Sequence, residues 1–100
     1  MTYKAIILPL AKKDVKDAAT WYNSKQKGLG KRFTTEVRKK VNSIRQYPEI
    51  GPIRYNAVRT IILDTFPFMI HYTVDDSQKI VVVSAIFHTS RNPDIWKERK

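Results

Sequence analysis

No cysteine occurs among these 100 residues, which excludes a disulfide, a thiolate zinc site and a cysteine nucleophile. Histidine is scarce as well. His71 and His88 are the only imidazoles, too few for a histidine-rich metal site, so no metal or other cofactor is expected. No apolar run comes near the ~18–20 residues of a membrane-spanning helix. The apolar stretch of MTYKAIILPLAKK is too short for a secretory signal, so no membrane partner is expected and the reading is a cytoplasmic protein. Acidic residues are the next shortage. Nine Asp and Glu stand against nineteen Lys and Arg, a formal net charge of +10 with a sequence pI near 10.0. Residues 1–50 hold twelve bases and four acids, or +8, and residues 51–100 hold seven and five, or +2. Such a field favours an acidic partner, either nucleic acid or an acidic protein segment. The plainer alternative is a basic surface that serves solubility alone.

The chain has enough apolar material to fold. At 42% hydrophobic residues, with two Trp, five Tyr and four Phe, residues 1–100 suit one domain and leave no room for a second core. Tyr3 to Leu8 reads as a first strand that Pro9 ends. From Leu10 the period changes: Ala11, Val15, Ala18, Ala19 and Tyr22 share one helical face, and this helix is expected to end near Ser24. A second helix begins around Leu29, with Leu29, Phe33, Val37, Val41, Ile44 and Tyr47 spaced by three and four until Pro48 stops it. Strand patterns follow over 55–63, 66–74 and 79–87, the middle one placing Phe68, Ile70, Tyr72 and Val74 on one face and Met69, His71 and Thr73 on the other. The near-continuous apolar run of 80–87 suits a strand covered on both sides. The expected fold is α+β, in the order β-α-α-β-β-β, with a two-helix hairpin packed on one face of a small antiparallel sheet. That leaves the other face, or its rim, for function.

Three motifs call for a decision. GLGKRF, residues 28–33, is not a phosphate loop, because Lys25 and Phe33 stand where such loops need glycine; Gly28 and Gly30 shape the turn between the helices. Lys31, Arg38 and Arg45 are seven residues apart and form a basic row along the second helix, which is either a solvated flank or a track for an acidic partner. FHTSRNP, residues 87–93, ends the last strand in polar groups, among them His88 and Arg91.

Taken together, the WY pair at 21–22, GLGKRF, YPEIGP at 47–52, the strand with Arg59, FPFMIHY at 66–72 and FHTSRNPDIWKER at 87–99 resemble the RelE/ParE superfamily, the toxins of type II toxin–antitoxin modules. The resemblance spans nearly the whole chain and rests on the joint order of these signals. It implies a growth-inhibiting, plasmid-stabilisation type of toxin held inactive by a cognate antitoxin. It also implies a fork: RelE-like members cleave messenger RNA, mostly on the ribosome and without a metal, whereas ParE-like members poison DNA gyrase.

Cleavage through a 2′-hydroxyl needs a base, cations on the phosphate and an acid for the leaving oxygen. On the RelE-like pattern the set retained here is His88, Arg91 and Arg59. Met69 stands where the middle-strand arginine belongs, and Asp94, Ile95 and Trp96 occupy the region of the tail tyrosine. The depleted set favours the ParE-like branch, with the ribonuclease as alternative and a non-toxic nucleic-acid-binding module as a third reading. His88 is then either a catalytic acid–base or a structural hydrogen-bonding residue at the strand end. Arg54 and Arg59 bind phosphate or antitoxin carboxylates, or Arg59 makes a structural ion pair with Asp64 or Asp94. His71 reads as surface or antitoxin-facing, beside Lys31, Arg38 and Arg45, and Trp21 and Trp96 as core or core-edge.

Overall fold

The computed structural model describes residues 2–90. Strand β1 (Lys4–Ile7) leads into helices α1 (Pro9–Lys25) and α2 (Leu29–Gln46), then a short 3-10 turn at Pro48–Ile50. Strands β2 (Ile53–Tyr55), β3 (Val58–Ile62), β4 (Phe68–Asp75) and β5 (Ile80–His88) complete the described chain. The sheet order is β1-β5-β4-β3-β2. β2 to β5 form the expected antiparallel meander, but β1 pairs with β5 in parallel, Lys4 opposite Ile80 through Ile7 opposite Val83. The sheet is therefore mixed. Parallel neighbours need a long crossover, and the helical hairpin followed by three strands supplies it.

Pro9 sits in the first turn of α1, where its missing N–H costs nothing. Both helices pack their apolar stripes on one face of the sheet. Ala11, Ala18, Phe33, Val37, Val41 and Ile44 meet Ile70, Tyr72, Val81, Val83 and Ile86 in the main core. At one end Tyr22, Phe33, Phe66 and Phe68 form an aromatic cluster with ring centroids 4.8–6.1 Å apart, mostly in the edge-to-face arrangements that ring quadrupoles favour. Tyr47 does not extend the α2 stripe: the helix ends at Gln46 and the ring is 67% exposed. Trp21, expected in the core or at its edge, is 56% exposed; it sits edge-on to Tyr22 at 5.1 Å with the Lys25 ammonium 5.1 Å from its ring. Trp96 lies outside the described residues.

The second face of the sheet is not an open functional surface. Met69, Ala85 and Phe87 are buried there in a smaller cluster, with Tyr55 packed against it. Alternation in β5 changes sides because Ser84 is an extra residue: His71 pairs with Ala85 and Tyr72 with Val83. Val81, Val83 and Ile86 thus face the helices, and Ala85 and Phe87 the far side. This bulge lets both faces of one strand be apolar.

The single expected run over 55–63 is two strands. Asn56 and Ala57 both have positive φ, 43° and 66°, and close a two-residue hairpin with Tyr55 opposite Val58. Ala57 carries the left-handed penalty of a residue with a Cβ. Ala57→Gly is expected to raise unfolding free energy by about 0.5–1 kcal/mol, the relieved strain less the added unfolded-state entropy, as read from urea midpoints. Gly30 is constrained differently. Its N–H donates to Asn23 Oδ1 at 2.8 Å, and a Cβ there would run into the Ala19 carbonyl and lie 2.7 Å from Asn23 Cγ. Gly30→Ala should force the helices apart and cost roughly 1–3 kcal/mol, seen as a lower urea midpoint with unchanged slope.

Candidate functional site

Each sequence-predicted residue has a definite place, and the places do not converge. His88 is the last residue of β5, half-buried, opposite Phe68 with the two rings 5.2 Å apart. The Ser90 backbone N–H donates to His88 Nδ1 at 3.0 Å, and the Ser90 hydroxyl lies 2.7 Å from the same atom. A neutral ring that accepts at Nδ1 carries its hydrogen on Nε2. In the neutral ring this leaves Nε2 a donor. The ring lies at a shallow cleft bordered by Asp14, Asp17 and Phe87.

Arg59 is on β3, opposite Tyr72. Its guanidinium donates to the Gly51 carbonyl at 2.7 Å and reaches the Glu49 carbonyl at 3.5 Å. The expected ion pair with Asp64 does not form, since Asp64 pairs with Lys40 at 3.0 Å. Asp94, its other expected partner, lies outside the described residues. Arg59 and His88 both face the helix side, but their β4 partners, Tyr72 and Phe68, are four residues apart. Four extended residues span about 13 Å, and β3 and β5 flank β4 on opposite sides, about 10 Å across. Buried Ile70 and the aromatic cluster lie between them. One phosphodiester cannot touch both. Arg91, the third member of the expected set, lies outside the described residues.

His71, read as a surface residue, is fully buried. It lies on the second face of β4 beside Phe87, ring centroids 5.3 Å apart, and its Nδ1 is 3.1 Å from the Tyr55 hydroxyl. A period-two alternation tells which residues share a face, not whether that face is covered. Arg54 is exposed on the edge strand β2.

The basic row of α2 divides. Lys31 borders a groove on the side of the β3–β4 turn, whereas Arg38 and Arg45 border the side of β1, and Lys39 lies on the rim of both. Arg45 is largely structural: Nε donates to the Tyr3 carbonyl at 2.8 Å, and Tyr3 N–H returns a bond to the Arg45 carbonyl at 2.9 Å. Arg38 is exposed at the rim of a groove floored by Ile7, Val15, Val37 and Val41, with Lys12 beside it. Among the described residues no group of three or more His, Asp and Glu side chains could hold a metal ion, and no helix is long and apolar enough to cross a membrane.

One element the sequence did not single out holds the Arg59 region together. The Tyr72 hydroxyl donates to the Pro48 carbonyl at 2.7 Å and accepts the Gly51 N–H at 3.0 Å. Gly51 has no room for a side chain: a Cβ would meet the Thr60 carbonyl and sit 3.0 Å from the Tyr72 hydroxyl. The YPEIGP signal is therefore a loop pinned to β3 and β4.

Comparison with solved structures gives the class first. The fold matches a chain of the chromosomal ParDE toxin–antitoxin system from P. aeruginosa, with a TM-score of 0.76, 18% identity, and coverage of 87% of this chain and 96% of that one. It also matches a chain of the intact E. coli RelBE toxin–antitoxin complex, with a TM-score of 0.66, 18% identity, and coverage of 89% and 99%. A chain of the RelBE2 complex from Mycobacterium tuberculosis gives 0.63, 15% identity, 88% and 99%. No curated protein matches the sequence. The family model described as "ParE toxin of type II toxin-antitoxin system, parDE" matches residues 5–93. The chain belongs to this family: it is a toxin of a type II toxin–antitoxin system with the RelE/ParE fold.

Burial pushes the Tyr72 phenol above its ordinary value of 10.0, against the pull of the Gly51 N–H and the Arg59 charge. The fold thus prefers the neutral phenol. Its contribution is complete below about pH 10, the unfolded value, and is lost as pH rises through the higher folded value. Tyr72→Phe should lower stability at pH 7 by about 1–3 kcal/mol, by orphaning the Gly51 and Pro48 groups. It should also make the alkaline loss shallower, in urea melts from pH 7 to 11.

Proposed function

We propose that this toxin inhibits growth by poisoning DNA gyrase, and not by cutting messenger RNA on the ribosome. The observation that carries the reading is the separation of Arg59 from His88, with the Arg59 guanidinium committed to the Gly51 carbonyl. General acid–base cleavage of RNA needs its base, acid and phosphate cations within hydrogen-bond reach of one phosphodiester. Met69, in the middle-strand position where the resemblance asks for arginine, is buried. A member that works by holding a partner enzyme needs no such convergence.

The partner that neutralises it is a cognate antitoxin. The groove between β1, α1 and α2 suits that role: an apolar floor of Ile7, Val15, Val37 and Val41 with Lys12 and Arg38 at its rim. It continues past Lys4, Asn42 and Arg45 along β1, the terminal strand of the described sheet. An amphipathic acidic segment would bury its apolar side there and match the rim with carboxylates. Arg54, exposed on the opposite edge, and His88 complete the polar surface, while buried His71 is not part of it.

Inducing the chain alone in a sensitive bacterial host, with primer extension on messenger RNA and an SOS reporter in one culture, tests the reading. The expected result is arrested growth, intact RNA and an SOS response, all retained in His88→Ala and suppressed by the co-expressed antitoxin. Codon-phased RNA cuts that vanish in His88→Ala, without DNA damage, would overturn it.

A further inference from the structure

The two flanks of α2 are chemically different, and apart from Lys39, which borders both, the second one has no role in the reading above. On the side of the β3–β4 turn an open groove runs along the helix, bordered by Lys31, Arg32, Thr35, Lys39, Ser43 and Thr65. Its two acids are already engaged. Glu36 Oε1 accepts the Thr65 N–H at 2.6 Å, and Asp64 pairs at 3.0 Å with Lys40, whose side chain is only 16% exposed. Lys31, Arg32 and Lys39 are exposed and, among the described residues, join neither of the ion pairs. Lys31, Thr35, Lys39 and Ser43 follow one another every four residues, on a ridge inclined to the helix axis with about 6 Å of rise per step. The Ser43 hydroxyl donates back to the Lys39 carbonyl at 3.2 Å, which leaves Lys31, Thr35 and Lys39 as the donors of this ridge.

We propose that this groove binds the phosphate backbone of duplex DNA. Alternating cationic and hydroxyl donors are the groups that contact phosphate oxygens. The flank facing β1 has an apolar floor; this one is lined by charged and hydroxyl side chains, with no large apolar side chain to anchor an amphipathic peptide. It also has no aromatic side chain, and single strands are held largely by bases stacked on aromatic rings. The major groove of B-DNA admits an α-helix, whereas that of A-form RNA is too deep and narrow. The inference stands on the groove itself. It would bring the toxin onto the DNA its target cleaves, but it does not require gyrase as that target.

Fluorescence anisotropy of the complete chain with a labelled 20-base-pair DNA duplex, over a salt series and without gyrase, tests it. Each neutralised phosphate contributes about −0.9 to the slope of log affinity against log salt. The combined Lys31→Gln, Arg32→Gln, Lys39→Gln variant should therefore lose about 2–3 units of slope and at least roughly tenfold in affinity at low salt, with its melting temperature retained. A control removing equal charge elsewhere, Lys13→Gln, Lys16→Gln, Lys79→Gln, should bind within about threefold of the parent. Equal loss in both variants would mean a diffuse field and overturn the site. So would absence of duplex binding, or tighter binding to double-stranded RNA, single-stranded RNA or polyglutamate. Because gyrase is absent, failure here is distinguishable from failure of the SOS experiment.

Discussion

One extra residue in β5 decides what faces what in this domain. β5 lies between β1 and β4, and β1 ends at Ile7, opposite Val83. Immediately after that point Ser84 bulges out of register. Without it, strict alternation would turn Ala85 and Phe87 toward the helices and strand Ile86 on the far side. The bulge comes where β5 has lost its parallel neighbour, so an N–H beyond it needs another acceptor. Asp14, one turn into α1, supplies that acceptor: Oδ2 takes the Ile86 N–H at 3.0 Å. A side chain on the helix replaces the missing strand, which ties the position of α1 to the register of β5. A buried backbone donor left without a partner would cost about 1–3 kcal/mol, so this carboxylate is strongly constrained.

The same economy explains why several cations of this basic chain are not free for chemistry. Arg59 satisfies the carbonyl of Gly51, and Arg45 that of Tyr3. Each fixes an irregular segment to the sheet or helix beside it, and each does so with the rigid, directional donors of a guanidinium. With the Tyr72 hydroxyl bridging Pro48 and Gly51, the YPEIGP loop becomes an extension of the sheet. Counting charge in the sequence treats all nineteen bases alike; among the described residues the fold separates those that cap backbone carbonyls from those that face solvent.

What was legible in the residues follows from periodicity. The α1 and α2 faces, their stops at Pro48 and near Ser24, and the inward set of β4 were readable because a 3.6 or 2.0 period needs only near neighbours. The hairpin at Asn56–Ala57 was hidden because its second residue is alanine where glycine usually marks such a turn. The parallel pairing of β1, the Ser84 bulge and the burial of His71 depend on contacts across the whole chain, which no window of sequence contains. The site suffered most from this. Arg59 and His88 look equivalent as polar residues on strands of one meander, and only the register sets their β4 partners, Tyr72 and Phe68, four residues apart. Lys31 looks continuous with Arg38 and Arg45, but it borders the groove formed with the β3–β4 turn, a neighbour that no spacing reveals.

Two different grooves along one helix would suit two different partners. A net charge of +10 draws any polyanion toward α2 and raises the encounter rate without choosing among them. Choice comes from what lies between the cations. Where Val37 and Val41 floor the groove, a bound segment gains by burying apolar surface, and carboxylates at the rim set its register. Where Thr35 stands between Lys31 and Lys39, no large apolar side chain lines the groove and the favourable contacts are hydrogen bonds to oxygen. Affinity on the first flank should fall only modestly with salt, because apolar burial persists when charge is screened; on the second it should fall steeply, because counterion release supplies most of it. The two surfaces share one helix and one field, but their floors make them respond to different chemistry.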